Sequence, residues 1–476
     1  MAAPTERLAS VCAELETWLQ EGWDRGDPGL ELLQRLTDMF RDPACRELAE
    51  DGVFKVILAT LSRASHRIDT AEVGADALEN SFLLVAECFR CLRNSCVRCS
   101  QNQDAIRNVG LIEESVGLIK SFSSYDDIQE PGLVALRCGL QFLGNAAAGN
   151  PDSQNSIWKR AFPELFLNCL RSADDKVCGF SSMILYTCMS DDKMGDLLEN
   201  ADVALGVFTA YGRQQDADWL HLIVTDRFLK SPDLVKTLYP KQTDPERITL
   251  LEIILDKVTE KEPTCAEEST SLRTIGEFLS ERFQNQCRAV LKLIAPGDSD
   301  EQEALVVVRL LDVLCEMTSN NEYLAGLQSC TSLLETVIDV LRLTHLAGKQ
   351  TKNIFTSAHT STLGTDLTHA VVGFKAHLIR MIANLCYRHT ENQDKVHRLD
   401  GIPLILDNCS IDDNNPFLNQ WAVYAIRNLT ENNEKNQDLI ASMERQGLAD
   451  TSLLKSMGFD VQERDGKLVL KSTKKS

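Results

Sequence analysis

Residues 378–396 read LIRMIANLCYRHTENQDKV and residues 423–440 read VYAIRNLTENNEKNQDLI, the same sentence written twice. In each copy an apolar helical run ends in Asn-Leu, at Asn384-Leu385 and Asn428-Leu429. A polar loop follows, then Asn-Gln-Asp and a second apolar run. The first Asn and the Gln are nine residues apart in both (384 to 393, 428 to 437), and the same interval separates Asn94 from Gln103 and Asn145 from Gln154. A fifth, degenerate copy carries Glu316-Met317 at the Asn-Leu position. Fixed offsets with changing letters between them are the mark of an all-α helical solenoid, in which each unit buries its apolar face only against its neighbours.

The composition agrees. A chain of 476 residues is too long for one ordinary core, and 43% apolar residues suffice for a continuous one. Aromatics are only 6%, as expected where small and aliphatic side chains pack helix on helix. The formal charge of −21 argues against a nucleic-acid binder, whose affinity comes from Lys and Arg on phosphates. It favours solubility and basic partners. No run of eighteen apolar residues occurs, so no membrane-spanning helix is expected. Glu16, Glu21, Asp24 and Asp27 interrupt the first thirty residues, which excludes a secretory leader there. The sixteen cysteines therefore read as reduced, buried thiols of a cytosolic protein, with no cofactor implied.

The expected organisation is N-terminal repeats over 1–295, divergent after about 180, an acidic loop at 296–304 and C-terminal repeats over 305–456. These last carry a mobile insertion at 344–368, rich in Ser, Thr, Gly and His. Ser231-Pro232, Asp244-Pro245 and Pro263 each read as a helix opening at its first turn. Residues 457–476 alternate apolar and polar around Asp465-Gly466 and then turn basic, which predicts a short β-hairpin or extended tail.

The two fixed points of the repeat invite different readings. Asn102, Ser153, Asn392 and Asn436 stand where a helix begins, so they are expected to be structural N-caps contributing about 1 kcal/mol each. Asp104, Asp394 and Asp438 follow two places on, favourable near a positive helix end. Asn94, Asn145, Asn384 and Asn428 end apolar runs, and an amide on an open helix face can hold an extended peptide backbone. The alternative is that each amide satisfies backbone groups of the repeats themselves.

The pattern AIRNL…NQDLI, with Gln420-Trp421-Ala422 before it, resembles the armadillo repeat. RCGLQFLGNAAAGNPDSQNSIW, ALVVVRLLDVLCEMT, GFKAHLIRMIANLCYRHTENQDKV and NPFLNQWAVYAIRNLTENNEKNQDLI go further and resemble the ataxin-10 family, most densely from Gly373 to Leu470. The resemblance implies an armadillo/HEAT-like scaffold without catalytic activity, linked to neuron survival and neurite outgrowth, cytokinesis, and centrosome or basal-body complexes. It also implies a cytoplasmic and perinuclear location, reaching centrosome and midbody. The partners it implies are proteins, among them a G-protein β subunit and O-GlcNAc transferase, with self-association. Carried over by position, Asn94, Asn145, Asn384 and Asn428, with Trp421, become peptide-groove candidates. A cargo or nuclear-import adaptor is the alternative, but such adaptors place Trp one turn before the Asn. Trp421 lies seven residues before Asn428.

Two clusters tempt other readings. Cys88-x2-Cys91-x4-Cys96-x2-Cys99 mimics a zinc site, but its central spacer is too short and the residues fall inside a well-formed repeat, so they read as core. Six of the eight histidines lie between His345 and His397 without HExxH spacing and read as solvated or capping. No G-x-S-x-G or Gly-rich phosphate loop occurs. An enzyme hidden in the divergent middle is the remaining alternative; it would require a pocket of perturbed titratable groups.

Overall fold

The computed structural model describes residues 4–21, 28–70, 75–125, 128–214, 218–260, 265–294, 301–350, 355, 371–409, 412, 414–443, 459–464 and 467–472. The chain divides into two compact units, Met1–Lys241 and Gln242–Ser476. Their division falls in the divergent middle, not at the acidic stretch 296–304.

In the Met1–Lys241 unit the helices form rows. Pro28–Met39, Ala75–Ser95, Gly132–Ala147, Asp175–Cys188 and Asp218–Asp226 pack each on the next. Asp51–Asp69, Leu111–Ser123, Glu164–Arg171 and Ala201–Arg213 make a second such row, and the short Pro43–Glu47, Ser100–Asn108 and Pro151–Ala161 helices a third. Each repeat thus adds one helix per row, an all-helical arrangement consistent with a solenoid. The core lies between rows: Phe89, Leu92, Ile119, Phe122, Phe142 and Leu143 are all fully buried. Gly139 is required there, because a Cβ would stand 2.8 Å from Ile119 and 2.9 Å from Phe89.

The Gln242–Ser476 unit repeats the plan. Asp244–Thr259, Glu301–Ser319, Phe374–Leu385 and Leu418–Thr430 stack in sequence, flanked by the Ala266–Gln286 and Thr331–Gln350 helices. The short Asn321–Gln328, Thr390–Arg398 and Glu434–Ser442 helices follow the long ones. Pro232 and Pro245 do open helices, at N1 or N2, and Glu246 reaches back to the Thr243 N–H at 2.9 Å. Pro263 lies outside the described residues.

Two boundaries differ from the sequence reading. Residues 301–304, expected in the acidic loop, form the first turn of Glu301–Ser319, because Glu301 and Glu303 suit the positive end of a helix. Residues 344–350, expected in the insertion, continue Thr331–Gln350: Thr344 is buried, and its hydroxyl returns its hydrogen bond to the Val340 carbonyl at 3.0 Å. Of the remaining insertion Phe355 is described, buried against Phe374 at 5.8 Å between ring centroids; 351–354 and 356–368 lie outside the described residues. At the far end Phe459–Arg464 and Lys467–Ser472 pair antiparallel, with Val461 opposite Leu470. Asp465-Gly466 lies outside the described residues.

Candidate interaction surface

The asparagines that end the long helices reach one repeat back. Asn145 Nδ2 donates to the Arg93 carbonyl at 3.0 Å, and Asn428 Nδ2 to that of Ala383 at 2.9 Å. Arg93 and Ala383 immediately precede Asn94 and Asn384, so each staple locks one repeat to the next in register. Asn94 Nδ2 donates to the Thr37 carbonyl at 3.2 Å. Asn384 follows the degenerate Glu316 copy and donates instead to the hydroxyls of Thr318 and Ser319, each at 3.2 Å. Asn428 is 1% exposed and belongs to the stacking interface, whereas Asn384, 6% exposed, also lines a cleft. Asn94 and Asn145 are half-buried.

The expected caps need correction. The N-cap residues are Cys99, Asn150, His389 and Asn433, three residues before Asn102, Ser153, Asn392 and Asn436. The side chains of Asn150, His389 and Asn433 accept from the backbone N–H of Ser153, Asn392 and Asn436 at 3.0, 3.2 and 3.1 Å. The physical reason is the residue immediately before each cap, whose backbone leaves the helical region. Arg98, Gly149, Arg388 and Asn432 all take positive φ, between 50° and 70°, four places after the helix-ending Asn. The chain therefore turns earlier than the Asn-Gln-Asp motif suggests, and that motif lies inside the helix.

There the motif is a bracket. Asn392 Nδ2 donates to the carbonyls of Leu385 at 2.9 Å and Gln328 at 3.2 Å; Asn436 Nδ2 donates to those of Leu429 at 2.7 Å and Gln393 at 3.4 Å. Asn102 does the same with Ser95 and Arg46, both at 3.0 Å. Gln393 reaches forward: Nε2 meets the carbonyls of Asn428 at 2.8 Å and Glu431 at 3.3 Å, tying down the end of the next helix. Gln103 repeats this on Asn145 at 2.8 Å and Ala148 at 3.0 Å. Asp394 and Asp104 then accept from the capping amides of Asn433 at 2.9 Å and Asn150 at 3.0 Å. Gln103, Gln393, Asn150 and Asn433 were missed as functional positions in the sequence. The signal was present in the constant Gln and, in three of the four copies, in the polar residue five places after the helix-ending Asn (Asn150, His389 and Asn433).

Where the amide is lost, charge replaces it. Glu316 accepts from Arg380 at 2.7 Å, and the Arg380 guanidinium also lies 5.0 Å from the centroid of the Trp421 ring. Trp421 is half-buried and meets Tyr424 edge-on at 6.0 Å. Beside this ladder opens a cleft of about 300 Å³. Three successive long helices and their following turns line it, through Thr318, Ser319, Asn384, Tyr387, Tyr424 and Arg427, with Asn321 and Leu324 at one side.

Three of the four clustered cysteines, Cys88, Cys91 and Cys96, are inert in this setting. Cys88, Cys91, Cys96 and Cys99 are buried, and burial pushes the Cys96 thiol up to about 12 and those of Cys88 and Cys91 well above the ordinary range. A thiol so shifted is protonated at neutral pH and is neither nucleophile nor ready ligand. His345, His377 and His397 each approach a polar side chain, Asn408, Asp312 and Asn436, at 3.3, 2.8 and 2.8 Å. His359 and His369 lie outside the described residues.

Comparison with known proteins completes the site. A family model described as the spinocerebellar ataxia type 10 protein domain matches residues 374–471, the part that holds the doubled motif. Ataxin-10 of Xenopus tropicalis is 62% identical over 482 residues, covering 100% of this chain and 99% of that protein. Human ataxin-10 is 50% identical across 94% of both chains. The Dictyostelium discoideum ataxin-10 homolog is 47% identical over 89 residues, 19% of this chain and 15% of that protein. The chain belongs to the ataxin-10 family.

Proposed function

We propose that this chain is a non-catalytic, armadillo-type scaffold that holds protein partners through the cleft on its Gln242–Ser476 unit. One observation carries the reading: side chains from three successive repeats open onto a single cleft, while the amides beneath them are committed to stacking. A surface built by consecutive repeats suits an extended segment of another protein, which can meet several repeats at once. The inert thiols support the non-catalytic part. Family membership extends the proposal to complexes acting in neuron survival and neurite outgrowth, cytokinesis and the centrosome or basal body. On the same ground the proposal extends to complexes in the cytoplasm, including the perinuclear region, and at the midbody. It suggests a G-protein β subunit, O-GlcNAc transferase and a second copy of the chain as partners.

A photo-crosslinking amino acid at Asn321, an exposed residue at the cleft, tests this directly. The expected result is a discrete set of protein adducts in cells. A crosslinker at Arg41, whose side chain is 74% exposed, should not give that set. Identical adducts from both positions, or none from the cleft, would reject the reading.

A further inference from the structure

The formal charge of the chain is −21, yet among the described residues the cleft is lined by no carboxylate and by one guanidinium, that of Arg427. We infer that the cleft at Arg427, Tyr387 and Tyr424 receives an anionic side chain, carboxylate or phosphate, of an extended partner peptide. This rests on the scaffold reading and names the chemistry that the cleft selects.

The hydrogen-bonding inventory carries the argument. The Thr318 and Ser319 hydroxyls donate to the Cys315 carbonyl at 3.0 and 2.9 Å and accept from Asn384 at 3.2 Å each. Their donors are spent, so they offer little to a ligand. Arg427 is exposed and has no ion pair among the described residues. The Tyr387 and Tyr424 hydroxyls likewise have no hydrogen-bond partner among the described residues. Three open donor groups therefore line one cleft, and an acceptor-rich anion satisfies them. On the same ladder the carboxylate of Glu316 is held by Arg380 at 2.7 Å and is neutralised in place. A cavity of about 300 Å³ takes one large side chain with its flanking backbone, and the tyrosine rings supply rigid walls for it.

Arg388, on the turn after Asn384, lies over the Tyr387 ring at 5.1 Å and adds a second cation beside the cleft. A basic peptide would meet cations here. The adaptor alternative, which needs a basic cargo segment, is disfavoured at this surface.

The test uses the full chain and fluorescein-labelled peptides of one Ala/Ser sequence, with Glu, phosphoserine, Ser or Lys at the centre. Anisotropy should give the Glu and phosphoserine peptides about tenfold tighter binding than the Ser peptide, as one charge-assisted contact supplies. That preference should weaken as salt rises. Arg427→Ala should bring both anionic peptides to the Ser level with helix content unchanged, and Tyr424→Phe should cost about threefold. A phosphoserine peptide binding more tightly than the Glu peptide assigns a phosphate; equal binding assigns a carboxylate. Equal affinity for all four peptides, no binding by any, or an Arg427→Ala chain that keeps the preference would overturn the inference. If crosslinks from Asn321 persist in that last case, the scaffold reading stands and only the anionic specificity falls.

Discussion

The junction between the Asn94 and Asn145 repeats and that between the Asn384 and Asn428 repeats lie in different compact units, yet they are built alike. In both, the later Asn donates back, the earlier Gln reaches forward, and a capping Asn closes on the Asp beside that Gln. The clefts of the two units, which occupy different places in the repeat, differ in charge. In the Met1–Lys241 unit a cleft is lined by Glu50, Asp51 and Asp104, and that of the other unit by Arg427, with no carboxylate among its described lining residues. Stacking chemistry is thus held constant while the charge lining the clefts varies, and the two can be perturbed separately.

The strongest way to break the parallel is to remove the forward-reaching glutamine. Gln393 is 1% exposed and Gln103 4%, and each serves carbonyls of the following repeat. Substitution by Ala strands those acceptors, so Gln393→Ala and Gln103→Ala should each cost about 2–3 kcal/mol in urea unfolding. Gln154→Ala is the internal control. Its amide meets only the Ala147 carbonyl, at 2.9 Å, within its own repeat, and the loss should be about 1 kcal/mol. Equal losses at all three positions would show that the bond between repeats has no special weight.

Next in size are the caps. Asn433→Ala removes the acceptor of the Asn436 N–H and the donor to Asp394, and Asn150→Ala removes the matching pair. Each should cost about 1–2 kcal/mol. Asn436→Ala distinguishes the corrected assignment from the sequence reading. Its amide bridges two carbonyls and caps nothing, so Asn436→Asp, tolerated at a true N-cap, should be as damaging as Asn436→Ala. Retention of stability in Asn436→Asp would restore the original cap position.

How much of this was legible is clear from these residues. The solenoid followed from four equal intervals, because stacking forces each repeat to present the same groups at the same places. The cap positions did not follow, because the turn depends on a left-handed residue that Gly149 and Asn432 announce but Arg98 and Arg388 conceal. The staple was invisible because an amide that grips a backbone carbonyl needs no complementary letter in the partner repeat. The cleft was half legible: Asn384 and Trp421 marked its neighbourhood, whereas Tyr387, Tyr424 and Arg427 vary between repeats and carry no periodic signal. For the same reason they suit recognition better than stacking.

A smaller effect sets the units apart by pH. Asp174 accepts from the Val177 N–H at 2.9 Å and from Arg137 Nε at 3.2 Å, and the Arg137 bond above all holds its carboxyl below the ordinary 3.8. A carboxyl whose folded pKa lies below its unfolded one stabilises the fold above the unfolded value and ceases to do so as pH falls through the folded value. The Asp175–Cys188 helix should therefore lose hydrogen-exchange protection below about pH 3.8. Asp174→Asn should flatten that part of the profile; an unchanged profile in the variant would assign the acid sensitivity elsewhere.

The smallest expected change in stability is the most informative about function. Arg427 touches solvent, pairs with nothing among the described residues and lies on a helix held by Leu418, Ala422, Ala425, Asn428 and Leu429 on its other side. Arg427→Ala should shift the unfolding midpoint by no more than about 0.5 kcal/mol, as exposed substitutions do. Asn428→Ala, one residue along, should cost about 1–2 kcal/mol because its amide grips Ala383. If instead Arg427→Ala destabilises as much as Asn428→Ala, the guanidinium is part of the stack. The separation between a constant staple and a variable cleft would then fail at the residue where it is drawn most sharply.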